Sequence, residues 1–599
     1  LTWSDTPVGG WYDKDDQLVP ESEIFDRYRD EVVARSGVRF FHDDGPLHDG
    51  YTPESAMVFL DRDITFTVED EAEARSYAEA DPQFTVVEQT AFGEWQVTRK
   101  SGAQVRVPRR ATLNRRIGGL FPTDFDPARW GIPASMLDSI DPIAVWNLVS
   151  AVDAFVSAGF SPAELLRVVH PATVASTQGT GFGGMRSMHK LFVDRFLGEE
   201  YPQDILQETL PNVVAAHTMQ SYVGGYGSMI NPVGACATAA VSIEEGVDKI
   251  KAGKADFVVA GAIDDIQVES IVGFGAMNAT ANSNELLARG ISSRFVSRAN
   301  DRRRGGFVEA QGGGTVLLTR ASVALDMNLP VLAVVGHAQT FSDGAHTSIP
   351  APGLGALAVA RGGRDSVIAR NLAELGVGID DVAFVSKHDT STNANDPNES
   401  DLHTRVGMAL GRTPGNPLLV ISQKTLTGHA KGGACVFQVG GIIDVFRTGL
   451  IPANVALDCV DDAMEQYSPL VWLRSPLNLS SRGPVRAAFA TSLGFGHVSG
   501  FLALVNPAAF EAIVEREAGR ERLEAWRAAS DRRLRNGQRH IEMGMLGHAP
   551  LFTSVEGRRL PDDPAAGVAG DAHEVEAAIL LDPNARLGED GFYHLPEGK

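Results

Sequence analysis

The chain has 599 residues, too many for one ordinary domain and enough for about three to five units or one large duplicated fold with attachments. Hydrophobic residues make up 43% and charged residues 22%, and 53 Lys+Arg against 76 Asp+Glu leave a net charge of −23. That balance argues against nucleic acid as a partner, because phosphate binding needs a basic footprint. Three cysteines, Cys236, Cys435 and Cys459, argue against a disulfide scaffold or a multi-cysteine zinc ribbon and suit a reducing, cytoplasmic setting. No apolar run reaches the roughly 18 residues of a membrane span, so no membrane is expected as a partner. Leu1 is followed by polar, acidic residues without a signal-peptide pattern, and a start without Met reads as a piece cut from something larger.

Residues 1–125 are mixed and acidic. Glu23–Val33 carries apolar residues at helical spacing, and Gln83–Glu88 with Glu94–Thr98 reads as a strand pair around a Gly93 turn. At Asp141-Pro142 the pattern changes to a strongly apolar helix that Pro begins near its first turn. From there to about residue 507, β-branched runs alternate with small-residue helices, which is α/β grammar. Strands are predicted at Asp256–Ile263, Val382–Ser386, Leu418–Ser422 and Val485–Ala490. Residues 508–599 open with a charged helix over Glu511–Arg539 with a solvated face and end in a Pro/Gly/Asp-rich, loop-like stretch. The short runs Arg302–Arg304 and Arg532–Arg533 read as solvated faces. Asn231–Ala240 and Gln423–Ala434 echo one another: each leads into a helix that opens with small residues, as if both starts pack at a shared centre.

Cys236 lies where a loop enters a helix, a position that stabilises a thiolate and lowers its pKa. Taken alone, a free cysteine is more readily a small buried hydrophobe, and Cys435 and Cys459 are read that way. His388 and His429 each follow a predicted strand, and a nucleophilic cysteine with two such histidines is the set an acyl-transfer enzyme must bring together. From spacing alone, Lys424 faces solvent. Gly494-Phe495-Gly496 can expose backbone N–H groups and present one aromatic ring as a lid. Gly179–Gly184 fits G-x-G-x-x-G, but no acid stands at a strand end about 20 residues on. Glu199 and Glu200 fall in a charged loop, so close backbone packing is the better reading.

Val233-Gly-Ala-Cys236-Ala-Thr238, His388-Asp-Thr-Ser-Thr392, Lys424-Thr-Leu-Thr-Gly-His429 and Gly494-Phe495-Gly496 stand in one order along the chain. In these four motifs the chain resembles the thiolase-fold β-ketoacyl-acyl-carrier-protein synthases, most closely those built into fungal-type and mycobacterial-type type I fatty acid synthases. Arg304–Gly314 is similar to that family's glycine-rich element, and Trp11–Lys14, Val19-Pro20, Gly131–Pro133 and Leu581–Arg586 look like its flanking segments. The resemblance implies a duplicated α-β-α-β-α core over residues 126–507, between scaffolding extensions at 1–125 and 508–599. It departs from the family at Asp389, where glycine is usual, and at Gln311, where many discrete synthases carry glutamate.

The implied activity is that of a 3-oxoacyl-[acyl-carrier-protein] synthase: Cys236 takes an acyl group, and malonyl-carrier protein loses CO2 and attacks it. By the same resemblance, His388 and His429 stabilise the enolate and Lys424 orients His388. The backbone N–H groups of Cys236 and Phe495 hold the oxyanion, Gly494 and Gly496 let Phe495 gate the site, and Gly181 and Phe182 line the acyl pocket. No cofactor or metal is expected, since substrates arrive on the phosphopantetheine arm of an acyl carrier protein. The other expected partners are the remaining domains of a fatty acid synthase polypeptide and a second copy of this chain, within a hexamer. The dimer seam is expected at a strand near Asn231–Gly234. A coenzyme A thiolase would carry a second cysteine in the late Gly494–His497 loop, and a non-catalytic, chain-length-setting paralogue would lack Cys236.

Overall fold

Apolar runs of strand length, buried on both faces, alternate here with helices that begin in small residues, and that pattern builds stacked layers. The computed structural model describes residues 2–4, 7–41, 51–122, 125–194, 201–344, 355–553, 577 and 580–594. In chain order the core elements are α1 Pro142–Ser157, β1 Val174–Ser176, α2 Thr238–Lys251, β2 Phe257–Asp264, α3 Val268–Ala276, β3 Gly312–Thr319, β4 Val334–Ser342 and β5 Val382–Ser386. They continue with α4 Asn395–Leu410, β6 Leu418–Ile421, α5 Ala434–Thr448, β7 Leu470–Trp472, β8 Ala487–Gly494, β9 Val498–Val505, α6 Ala508–Ala518 and α7 Arg520–Met545.

Two sheets result. The first has the order β1-β2-β3, with β1 parallel and β3 antiparallel to β2. The second runs β4-β9-β8-β5-β6-β7, antiparallel over its first three strands and parallel from β8 through β7. Side chains alternate along β2: Val258, Ala260 and Ala262 join an inner core, while Phe257 and Val259 join an outer one. On β8, Ala488 and Ala490 face the same inner core, which holds α2 and α5 between the sheets, and Phe489 faces the far side. The layers are therefore α-β-α-β-α, as the resemblance implied. Tight contacts explain the small residues: a Cβ on Gly500 would come 2.5 Å from Ala240 Cβ, and one on Gly433 would come 2.3 Å from Gly312 O.

The internal echo is visible in the backbone. A 3₁₀ turn, Ala235–Ala237, opens α2 and another, Lys431–Gly433, opens α5. Their first residues are both left-handed, with φ 46° at Ala235 and 47° at Lys431.

Two compact units divide the chain: His42–Arg116, and Leu1–Phe41 with Ile117–Lys599. This division differs from the boundaries read at 125 and 507. Val38–Phe40 pairs with Ile117–Gly119, and Val38 and Ile117 share a buried cluster with Leu286 and Val308. At the other end, Leu523 and Trp526 of α7 lie in the core that α1 lines. The helix predicted at Glu23–Val33 spans Glu21–Ala34, and the predicted strand pair forms as Thr85–Gln89 with Trp95–Arg99.

Four other expectations need correction. The single charged helix is two, broken at Gly519 with φ 86°, and α7 is no solvated rod: a Cβ on its Gly537 would meet Val156 O at 2.2 Å. The arginine runs are not simply solvated. Arg304 is buried against Asp461 and Asp396, and Arg533 caps the carbonyls of Met327 and Gly159. Asn231–Gly234 forms no strand; Met229 makes one bridge to Ser176, and Ile230 and Val233 are exposed. Of the stretch expected to be loop-like, Arg586–Leu587 and Tyr593–His594 pair as short antiparallel strands. Among the described residues no single helix is long and apolar enough to cross a membrane.

Candidate active site

The middle residue of the α2 turn is Cys236, 4% exposed, with its carbonyl fixed by the Ser492 hydroxyl at 2.7 Å. His388 stands just past β5. His429 follows the short helix Lys424–Thr427, pinned by its N–H to Val308 O at 2.7 Å. These three side chains, distant in sequence, each bring one donor atom to within 4.8 Å of the others. The imidazole centroids lie 5.1 Å apart, nearly perpendicular. A cavity of about 580 Å³ opens onto them, lined also by Phe307, Thr390, Thr392, Leu493 and Phe495.

Charge at the site is set by burial and by two lysines. Lys424 is buried, not solvated: its Nζ donates to His388 O at 2.5 Å and stands 3.2 Å from His388 Nδ1. Burial, then the Lys424 ammonium and His429, hold His388 well below the ordinary imidazole value. Burial with Lys424 and Lys431 does the same for His429. Both rings are therefore neutral at physiological pH. The ammonium at Nδ1 assigns the His388 proton to Nε2, so that this nitrogen donates into the cavity.

The Cys236 thiol departs from expectation. Burial pushes it up to about 11, although Lys424 and the Phe495 N–H, which donates to the sulfur, oppose the rise. The helix start helps, but desolvation of the thiolate outweighs it.

The donor set resembles a Cys-His-His metal site in composition only. Two lysines stand around it, and the His388 nitrogen away from the cavity already faces a cation, so the site suits an oxyanion better than a dication.

Phe495 sits in the turn between β8 and β9. A Cβ on Gly494 would lie 2.4 Å from Gly234 O, so glycine lets the end of β8 touch the Cys236 turn. Gly496, at φ 83° with open space around it, turns the chain back. The Phe495 ring stacks on Phe274 of α3 at 5.5 Å. Gly181 and Phe182 are not among the residues lining the cavity; Phe182 meets Phe274 edge-on at 6.0 Å, and Phe274 in turn stacks on the lining residue Phe495.

Gly179–Gly184 wraps a buried acid. Thr180 Oγ1 and the N–H groups of Gly181 and Phe182 all donate to Asp264, which leaves no cradle for a phosphate. Glu199 and Glu200 lie outside the described residues. Gln311 bridges Phe121 N and Asp265, away from the cysteine.

Sequence reasoning missed Glu399. Fully buried on α4, it accepts the N–H of Asp389 at 2.9 Å and that of His388, and so sets the turn carrying the histidine. Asp396, Glu399, Ser400 and His403 form a buried polar stripe at helical spacing, the signal that was available.

Comparisons with known proteins place the chain in a family. The family "beta-ketoacyl synthase, N-terminal domain" matches residues 86–324, and "beta-ketoacyl synthase, C-terminal domain" matches 332–458. The chain is 31% identical to the fatty acid synthase alpha subunit pigJ of Monascus ruber, over 97% of this chain and 35% of that one. It is 33% identical to fatty acid synthase 2 of Mycosarcoma maydis, over 98% of this chain and 15% of that one. The chain thus spans about a third or less of these relatives' length. Its fold matches that of the noncanonical ketosynthase FabY from P. aeruginosa, with a TM-score of 0.77 and 22% identity over 90% of this chain and 83% of that one.

Proposed function

The chain belongs to the β-ketoacyl synthase family, and from that premise we propose that it joins an acyl group held on Cys236 to a malonyl unit, with loss of CO2. In the first half-reaction the Cys236 sulfur bonds to the acyl carbon. The substrate's thioester C–S bond breaks, and the departing thiol takes the cysteine proton. In the second, the malonyl bond to its carboxylate breaks, CO2 leaves, and the electron pair remains as an enolate. The enolate carbon attacks the acyl carbon, the Cys236 C–S bond breaks, and the thiolate takes up one proton. The product is a 3-oxoacyl thioester.

The observation that carries this reading is the convergence of Cys236, His388 and His429 on one cavity. Neutral imidazoles can offer Nε2–H groups to an enolate oxygen, and Lys424 keeps His388 in the donating tautomer. The Phe495 N–H beside the sulfur, with that of Cys236, suits a tetrahedral oxyanion; one such donor is worth about 3–4 kcal/mol of barrier. Phe495, stacked on Phe274 between two glycines, is placed to gate the entry of malonyl.

The substrates are proposed to arrive on the phosphopantetheine arm of an acyl carrier protein, with no cofactor held by this region. The reaction is proposed as the elongation step of a cytoplasmic fatty acid synthase. Relatives that are fatty acid synthase chains support the company of further synthase domains. The exposed Met229, Ile230 and Val233 beside the Cys236 turn support pairing with a second copy there, within a proposed hexamer. The test is to supply an acyl- and a malonyl-carrier protein together. CO2 and 3-oxoacyl product should form in equal amounts, and neither should form if the reading is wrong.

A further inference from the structure

We propose that Lys387 and Asp389 act together as a positioning device that locks the His388 turn to the Lys424 turn, so that His388 and the lysine that orients it for decarboxylation are held as one body. This inference rests on the condensing reading above. Asp389 has φ 39°, in the left-handed region where glycine is favoured, and its side chain is fully buried. A buried carboxylate in a strained position persists only where its surroundings demand it.

The demand is visible on both oxygens. Oδ1 lies 2.7 Å from Lys387 Nζ, a charge contact off the hydrogen-bond axis. Oδ2 accepts from Asn300 Nδ2 at 2.8 Å and from Ser422 Oγ at 2.5 Å. Ser422 follows β6 and stands two residues before Lys424, whose Nζ returns to His388 O and Nδ1. The contacts therefore close a ring: His388, Asp389, Ser422, Lys424 and back to His388.

Lys387 makes the acid tolerable. Two residues before Asp389, it reaches the same pocket and is fully buried. Besides Asp389 it contacts Asn300 Oδ1 at 3.1 Å, Asp396 O at 3.2 Å and Ser400 Oγ at 2.9 Å. Burial alone would lower this ammonium, yet Asp389, Glu399 and Asp396 together hold it above its ordinary value. The pair thus ties together two loops that carry the chemistry.

The test uses the full chain and reads two half-reactions separately: acylation of Cys236 from an acyl-carrier protein, and release of CO2 from a malonyl-carrier protein. Ser422→Ala, which removes a single hydroxyl, should lower kcat for decarboxylation about 3- to 10-fold, with KM and Cys236 acylation within about 2-fold. Asp389→Gly should lower it about 10- to 100-fold with the same split, and Asp389→Asn, which can still accept from Ser422, should recover most of that loss. Wild-type decarboxylation in both Ser422→Ala and Asp389→Gly, or equal losses in both half-reactions, overturns the inference. An unmutated chain that releases no CO2 overturns the condensing reading instead, so the two failures are distinguishable.

Discussion

The turn that opens α2 delivers a thiol to a cavity of about 580 Å³, whereas the turn that opens α5 buries an ammonium, Lys431 Nζ, 3.1 Å from Glu309. The backbones match, down to φ 46° and 47° at the first residue. The middle residues do not: Cys236 in one, Gly432 in the other. Gly432 is what lets the second turn close, since its N–H donates to Asp264 at 2.6 Å and a Cβ there would lie 2.7 Å from the same carboxylate. Duplication thus supplies two equivalent helix starts, and side-chain size decides which becomes a site and which becomes a clasp.

That contrast can be broken from either side. On the site side, Cys236→Ala should abolish condensation, a loss of at least about 10³-fold in rate, while stability moves by only about 1 kcal/mol in urea unfolding. On the clasp side, Lys431→Met leaves the Glu309 carboxylate buried without its cation. It should cost about 3–5 kcal/mol of stability by the same measurement. Gly433→Ala forces a Cβ toward Gly312 O and should cost about 1–3 kcal/mol.

The smallest expected change is with pH. His388 and His429 are held well below 6.5, so lowering pH from about 8 to about 6 should leave decarboxylation nearly flat in a rate profile. The thiol behaves oppositely. With Cys236 pushed up to about 11, its alkylation by iodoacetamide should rise about tenfold per pH unit from 8 to 10.

Elements whose pattern is local were legible in the sequence. The apolar runs that become β2, β5, β6 and β8, the Pro-started α1, and the order Cys236, His388, His429 needed no tertiary knowledge. What escaped depends on partners far along the chain. Arg304 reads as solvent-facing until Asp461, 157 residues away, is placed beside it. Lys424 was misread for the same reason. The Cys236 thiol was expected low because a helix start is a local feature, whereas the burial that raises it is assembled by β8, the Phe495 turn and the α5 clasp. The Asp396–Glu399–His403 stripe could have been read, since polar residues at helical spacing on one face of α4 need a buried polar partner.

The claim that matters most is that Cys236, and no other residue, holds the growing chain. Intact-mass and peptide-mapping spectrometry of the chain after exposure to an acyl-carrier protein tests it directly. One acyl group is expected, on the peptide containing Cys236 and absent from Cys236→Ala. An acyl group on Cys435 or Cys459, or none on a chain that still condenses, would contradict it.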